Sequence, residues 1–425
     1  MSVSADVLAA REQLTRHGWV ARNSESFRHL PPPPAALWLG EQVAESAPRS
    51  ERAGWTLQPT GSTPHTHTTA QWLDAADAAQ RQALFEGLPL PGTGDADDAA
   101  PFGWAHRALC RQGLRARIDQ STTAPAANAQ AAWLTLSHQP RAAVEAPLAV
   151  LDIGAGVQAV LLETHERRSH GAAALVQNLQ LHLRLGAGAS LIHLRVLEPH
   201  ADDQIAHHVH VRLAGGASYR QALIGEGSRY HLQRLLLELD EESASASAGV
   251  VALAAGTALD FQALVRHKAA RTRSQVRALA LARDAAQVVL NAHTRIAAGC
   301  DDADVHQRLA GIPLRGQPKL VLRPHLEILH DQVQATHGAT WGALPEDALF
   351  YAQQRGIESR VARGLIVQGM ANKLLGEALG DETLADALQA PARLARAVTR
   401  LLDDDGPCGA TTVTPTSPDA ESHHG

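Results

Sequence analysis

Cysteine is scarce: Cys110, Cys300 and Cys408 are the three in 425 residues. Their odd number and wide spacing exclude a disulfide framework and a zinc-type cysteine pair, and fit thiols kept reduced in a cytoplasm. Aromatic residues are only 4 % of the chain, so a core must be built from Ala, Leu and Val. Lysine is confined to Lys268, Lys319 and Lys373. None lies in a Gly-Lys-Ser/Thr loop, so nucleotide hydrolysis would have to come from another chain. There is no run of about eighteen apolar residues, and the first twenty residues mix acids and arginines with short apolar stretches, so neither a membrane span nor an export signal is expected. Basic residues number 38 against 44 acidic, a net charge of −6. With no basic stripe interleaved with aromatics, nucleic-acid binding is not expected either.

What the sequence does have is a change of period. Residues 1–113 read as an N-terminal helical domain: an amphipathic segment at 7–18, a four-proline interruption at 31–34, a helical stretch at 69–85, and a short helix at 104–112 ended by Gly113. Across residues 114–340 apolar and polar residues alternate in short runs, the signature of strands with one buried face. Ile205, His207, Val209, Val211 and Leu213 face one way, and Ala206, His208, His210 and Arg212 the other. Similar short turns follow Ile153, Leu185, Leu213 and Leu239, a spacing of roughly 30 residues, with another at 281–285. Such a period without intervening helices predicts a mainly β solenoid, a β-helix. Residues 341–403 turn helical again: Pro345 opens one helix, Gly356 caps it, Ile357, Val361, Leu365, Met370 and Leu374 stripe the next, and Pro391 kinks or splits the third. Residues 404–425 form a polar tail too poor in apolar residues to fold.

Several constellations invite a chemical reading. Asp152-Ile-Gly-Ala-Gly156 after a strand looks like the first motif of S-adenosylmethionine-dependent methyltransferases, but no acid stands between Arg167 and Leu197 to hold a ribose, and the turn type recurs. His65 and His67, and His207, His208 and His210, suggest metal ligands. A solvated strand face accounts for His208 and His210 more simply, since no nearby Asp, Glu or Cys completes a shell. The paired acids Asp202-Asp203, Asp240-Glu241-Glu242 and Asp301-Asp302 read as solvated turn residues rather than as a glycosidase pair. His337, in Ala335-Thr-His-Gly-Ala-Thr340, sits at the strand-to-helix boundary, where it could be presented at an assembly surface.

Arg323-Pro-His-Leu-Glu-Ile328, Asp331, Thr336-His-Gly-Ala-Thr340, Leu349-Phe-Tyr351 and Arg355-Gly-Ile357, in that order, resemble the C-terminal signature of the SufB/SufD family of iron–sulfur cluster assembly proteins. Ala105-His-Arg-Ala-Leu-Cys110, Val265-Arg-His267 and Ser274 match it more weakly, and Glu25-Ser-Phe-Arg-His-Leu30 is most like SufD. The resemblance implies a right-handed parallel β-helix flanked by helical domains, and a non-enzymatic scaffold subunit of a SufBCD-type complex. It implies pairing with a SufB-like paralogue through the β-helix, or with a second copy as a homodimer, and docking of a SufC-like ATPase on the C-terminal helices near Leu349, Phe350, Tyr351, Arg355, Gly356 and Ile357. It further implies that His337 is a ligand of a nascent iron–sulfur cluster shared with SufB, and that reduced flavin binds in the complex. The family's cysteine two residues before this histidine is Ala335 here, so a thiolate would have to come from SufB.

Overall fold

The computed structural model describes residues 5–41, 54–60, 66–92, 97–120, 131–167 and 174–403. The expected polar tail, Cys408 and His65 lie outside them. A strand with one aliphatic face can bury it only against other strands, and this chain does so by coiling. Successive strands alternate between two sheets, and each circuit adds one strand to either sheet.

The first sheet runs in the order β1 (Trp55–Pro59), β4 (Ala132–His138), β7 (Gln158–Glu166), β9 (Ser190–Glu198), β11 (Ser218–Glu226), β13 (Ser245–Ala255), β15 (Arg273–Asp284), β17 (Ala303–Gly316), β19 (Val333–Trp341). The second runs β2 (Thr66–Asp74), β3 (Gln112–Gln120), β6 (Leu148–Ile153), β8 (Val176–Leu185), β10 (Gln204–Leu213), β12 (Tyr230–Leu239), β14 (Ala258–His267), β16 (Gln287–Ile296), β18 (Lys319–Ile328), with β5 (Val144–Glu145) beside β8. The result is a parallel solenoid of about seven turns, as the alternation and the turn spacing predict. Among the described strands β1 and β2 alone pair antiparallel, with β4 and β3. Register lines the bore with aliphatic files: Leu181, Val209, Leu235, Ala263 and Ala292 stack through five coils, all buried.

The repeated turns form a column of their own. Gly156, Gly188, Gly216, Ser243, Arg271 and Asp302 all have positive φ, from 55° to 68°. Each donates its N–H to the turn of the next coil, to Ala187, Gly215, Glu242, Ala270, Asp301 and Gln332 respectively, at 2.7–3.2 Å. The glycines that resembled a cofactor loop are thus rungs of a turn ladder, and β7 rather than a helix follows Gly156. With no helix N-terminus there to receive a nucleotide, the methyltransferase reading loses its structural basis. The stretch read as a turn at 281–285 is mostly β15, which runs to Asp284, and the turn that follows it lies at the opposite corner, before β16, and so breaks the spacing.

Helices cover both outer faces. α1 (Ala5–His17), α2 (Ala35–Trp38), α3 (Ala78–Phe85) and α4 (Ala100–Leu109) belong to the N-terminal part. The single helix expected at 69–85 is in fact β2 followed by α3: the Thr- and Trp-bearing segment Thr66–Asp74 pairs with β3 along its whole length, and tertiary pairing overrides a weak helical pattern. The segment before α2 lies as a strap along the second sheet. Gln262 donates to the Ser26 carbonyl at 3.0 Å, Gln287 donates to the His29 carbonyl, and Arg323 binds both the carbonyl and the carboxylate of Glu25 at 2.7 Å. Phe27, Trp38 and Phe102 pack beneath it with Tyr230.

The C-terminal helices α5 (Glu346–Gln354), α6 (Ser359–Leu379), α7 (Glu382–Ala387) and α8 (Ala390–Leu402) cover the first sheet, where Leu194, Ile224, Val251 and Leu281 meet Val367, Leu375, Leu379 and Leu394. The helix bearing Pro391 is split, with Gln389 left-handed at the junction. Backbone and helix meet closely at Gly249, where a Cβ would stand 2.4 Å from the Ala378 methyl. Gly249→Val should therefore push α6 off the sheet and cost about 1–3 kcal/mol, seen as a lower urea midpoint at unchanged slope.

Candidate functional site

The two ends of the solenoid are finished differently. At the N-terminal end β1 and β2 are edge strands too, but each runs antiparallel to its one neighbour. At the other end β18 and β19 each pair with one neighbour in their sheet, and none of their residues is buried. Unpaired N–H and C=O groups along such edges are a template for another strand. Ile328, Leu329 and Trp341 add exposed apolar surface there.

His337 stands on this end. It is in register with Gln307 and, coil by coil, with Val276, Ala248, Gln221 and His193, a file that points into the bore. The other five residues of the file are buried and His337 is exposed, because no coil follows it. Beneath it Gln307 donates to Thr294 Oγ1 at 2.7 Å, and its own carbonyl oxygen has no partner. Ala335 lies on the same face, so this face of β19 offers an imidazole and no thiol, the nearby Cys300 being buried beneath Ala335.

The partner-binding residues expected from sequence sit on the helices beside this end. Phe350 and Tyr351 are 63 % and 59 % exposed, and Arg355 stacks on the Tyr351 ring at 4.4 Å. Leu349 and Ile357 are half-buried, and Gly356 takes a positive φ of 74°. The stripe read on α6 faces outward at Val361, Leu365 and Met370, while Val367, Ala371 and Leu375 make the contact with the sheet. Phe350, Tyr351, Val361 and Leu365 are left exposed by the described residues.

A second constellation lies inside the bore. Glu163, His165 and His207 have ligand atoms within 4.8 Å of one another, the only such group among the described residues. Arg195 stands where an ion would: its Nε donates to Glu163 at 3.0 Å, and its terminal nitrogen reaches His207 Nδ1 at 2.8 Å and Gln233 at 3.0 Å. The cluster is an ion pair with imidazole walls, and it already holds its cation. Burial alone would raise the Glu163 carboxyl, but Arg195 and the surrounding imidazoles hold it well below the usual range. Burial pushes His165 down to about 4 and lowers His193 and His207, so these rings are neutral.

This group went unseen in the sequence because its members lie on different coils. The signal was present: Glu163 and Arg195 are one coil apart and in register, and His207 falls on the aliphatic phase of its strand. Coiling also corrects the reading of the other histidines. His208 lies under Phe102, ring centroids 5.5 Å apart, and is not on a solvated face. His210 meets the Glu238 carboxylate at 2.6 Å, an acid supplied by the next coil. Asp203, expected in a solvated turn, is buried and accepts from Arg167, Leu175 and His200. His267 and Ser274 are brought together at 2.7 Å. Cys110 and Cys300 are buried free thiols, and burial raises Cys110 to about 12.

Residues 136–370 match the family model described as SUF system FeS cluster assembly, SufBD core domain. Parts of the chain are similar to the iron–sulfur cluster assembly protein SufD of Escherichia coli (strain K12), 42 % identical over 62 residues that make up 15 % of this chain and 14 % of that protein. A SufBD family iron–sulfur cluster assembly protein of Synechocystis is 22 % identical over 205 residues, 47 % of this chain and 44 % of that one. The SufD of Plasmodium berghei is 26 % identical over 179 residues, 42 % and 13 % of the two chains. The chain thus spans less than half the length of these curated relatives.

Proposed function

Since this chain belongs to the SUF-system iron–sulfur cluster assembly family that carries the SufBD core domain, we propose that it is a scaffold subunit of a SufBCD-type complex, most like SufD. A SufB-like paralogue adds its strands to the open edges of β18 and β19. A SufC-like ATPase docks on the exposed apolar residues of α5 and α6. The single observation that carries this reading is the end formed by β18 and β19: parallel edge strands with no buried residue, an inward-file imidazole on β19, and exposed apolar residues on the helices beside it.

The nascent cluster is cargo at that junction. His337 supplies one nitrogen ligand, as imidazole does in clusters where it replaces thiolate, and the thiolates come from the paralogue. The scaffold has no catalytic residues of its own. When the paralogue is scarce, two copies pair through the same edges. No helix among the described residues is long and apolar enough to cross a membrane, and the buried free thiols suit a cytoplasmic location. Two cavities bear on reduced flavin. The void between His138, His165 and His207 is about 20 Å³, too small for a tricyclic ring, and the 390 Å³ cleft at Arg22, Pro31, Pro33 and Arg229 is open to solvent. In this reading reduced flavin is a ligand of the assembled complex rather than of either cavity.

Point variants test this better than removing the helices, which would strip the outer face of the first sheet. Leu365→Asp should reduce copurification of the ATPase at least tenfold while the paralogue still associates. His337→Ala should keep both partners but lower the yield of cluster on co-expressed complex several-fold. Unchanged ATPase recovery in the first variant, or unchanged cluster yield in the second, would remove that part of the reading.

A further inference from the structure

The outer face of the second sheet carries a charged file that runs from β3 to β18 and stops one residue short. Through successive registers Arg117 lies beside Asp152, Asp152 beside Arg184, Arg184 beside Arg212, and Arg212 beside Glu238. Glu238 lies beside Arg266, Arg266 beside Arg295, and Arg295 beside Glu327 of β18. In signs this reads plus, minus, plus; plus, minus, plus; plus, minus. Every acid but the last is sandwiched between two arginines.

Several ion pairs follow the file. Arg184 binds Asp152 at 2.7 Å, Glu238 takes Arg212 at 3.8 Å and Arg266 at 3.4 Å from opposite sides beside closer contacts to His210 at 2.6 Å and Lys268 at 2.7 Å, and Arg295 reaches Glu327 at 3.4 Å, while Arg117 turns to Asp119 at 2.6 Å. The sandwiched Glu238 side chain is 10 % exposed, whereas that of Glu327, flanked on one side only, is 41 % exposed. Opposite charges on neighbouring strands stabilise a ladder and like charges oppose it. The vacant position is the one the next strand would fill.

We propose that Glu327 is a docking point for an arginine or lysine on the partner strand that adds to β18, so that the third triplet is completed in trans. This rests on the pairing proposed above and specifies the partner's chemistry: an edge strand with a cationic side chain on its outer face at the register of Glu327. Complementary charge at such a junction sets register and rejects strands that place an acid there.

The test is binding between the full-length chain and its co-expressed SufB-like paralogue, measured by titration at low and at high salt. Glu327→Arg should weaken association at least tenfold, Glu327→Gln less, and the loss should shrink as salt rises. Glu12→Arg, the same charge change on the far helix α1, should bind as the parent does. In Glu327→Arg, changing the facing cation of the paralogue to Glu should restore binding. If both Glu327 variants bind the paralogue like the parent chain, or if no cation-to-Glu change on its edge strand rescues Glu327→Arg, the inference falls while the pairing stands. If the parent chain itself does not bind, the pairing falls first.

Discussion

Lowering the pH from 7 to 4 should unfold this protein, with stability falling steeply below pH 6.5. Burial holds His106 and His208 down to about 3, and His165, His231 and His267 to about 4. In the unfolded chain these rings titrate near 6.5. Between about 4 and 6.5 the unfolded state therefore binds protons that the native state refuses, so their stabilising effect is complete above 6.5 and is lost as the pH drops. Each such ring contributes a slope of about 1.4 kcal/mol per pH unit in that window. Asp260 works in the opposite sense. Burial raises it to about 7, so the native state keeps a proton that the unfolded chain gives up above about 4, and it offsets one ring. The net slope should be several kcal/mol per pH unit, measurable as the shift of the urea midpoint between pH 7 and pH 5. A midpoint that stays level over that range would mean that the rings are hydrated or protonated in the native state.

Arg195→Met should be the most damaging single substitution in the bore. It leaves the fully buried Glu163 carboxylate with imidazoles but no cation, and removing one partner of a buried ion pair costs about 3–5 kcal/mol. Adding Glu163→Leu in the same chain should recover much of that loss, because the unpaired charge goes with it. Urea unfolding of the two variants checks both statements, and a double variant no more stable than the single would show that shape rather than charge sets the cost. The pair's pH behaviour has its own sign. Glu163 is depressed in the native state, so its contribution is present above the ordinary carboxylate range and is lost only as the pH falls through its lower native value.

Much of the architecture was legible because a solenoid writes its period into local chemistry. Gly156, Gly188 and Gly216 each fill a left-handed turn position, and Leu181 to Leu185 and Ile205 to Leu213 alternate cleanly. Where local signals compete, the reading slipped: residues 69–74 carry no strong alternation, and only pairing with β3 decides that they are a strand. The stripe of Val361, Leu365 and Met370 was legible as a helix, but its direction was not, since apolar spacing alone does not say which face is covered. Glu163, Arg195, His207 and Gln233 come together only through register, and so do His210 with Glu238 and Arg295 with Glu327. These pairings need the coil length, which a residue-by-residue reading does not supply.

The strap formed by Glu25, Ser26 and His29 changes how the rod should melt. A stack of repeats touching only nearest neighbours frays from its ends, each unit opening at its own free energy. Here one stretch of backbone crosses β14, β16 and β18 at once, so the terminal coils cannot peel away singly without releasing a segment anchored by Phe27 under Phe102. Amide exchange in those coils should proceed as one cooperative block, and clipping the strap should turn that block into a zipper.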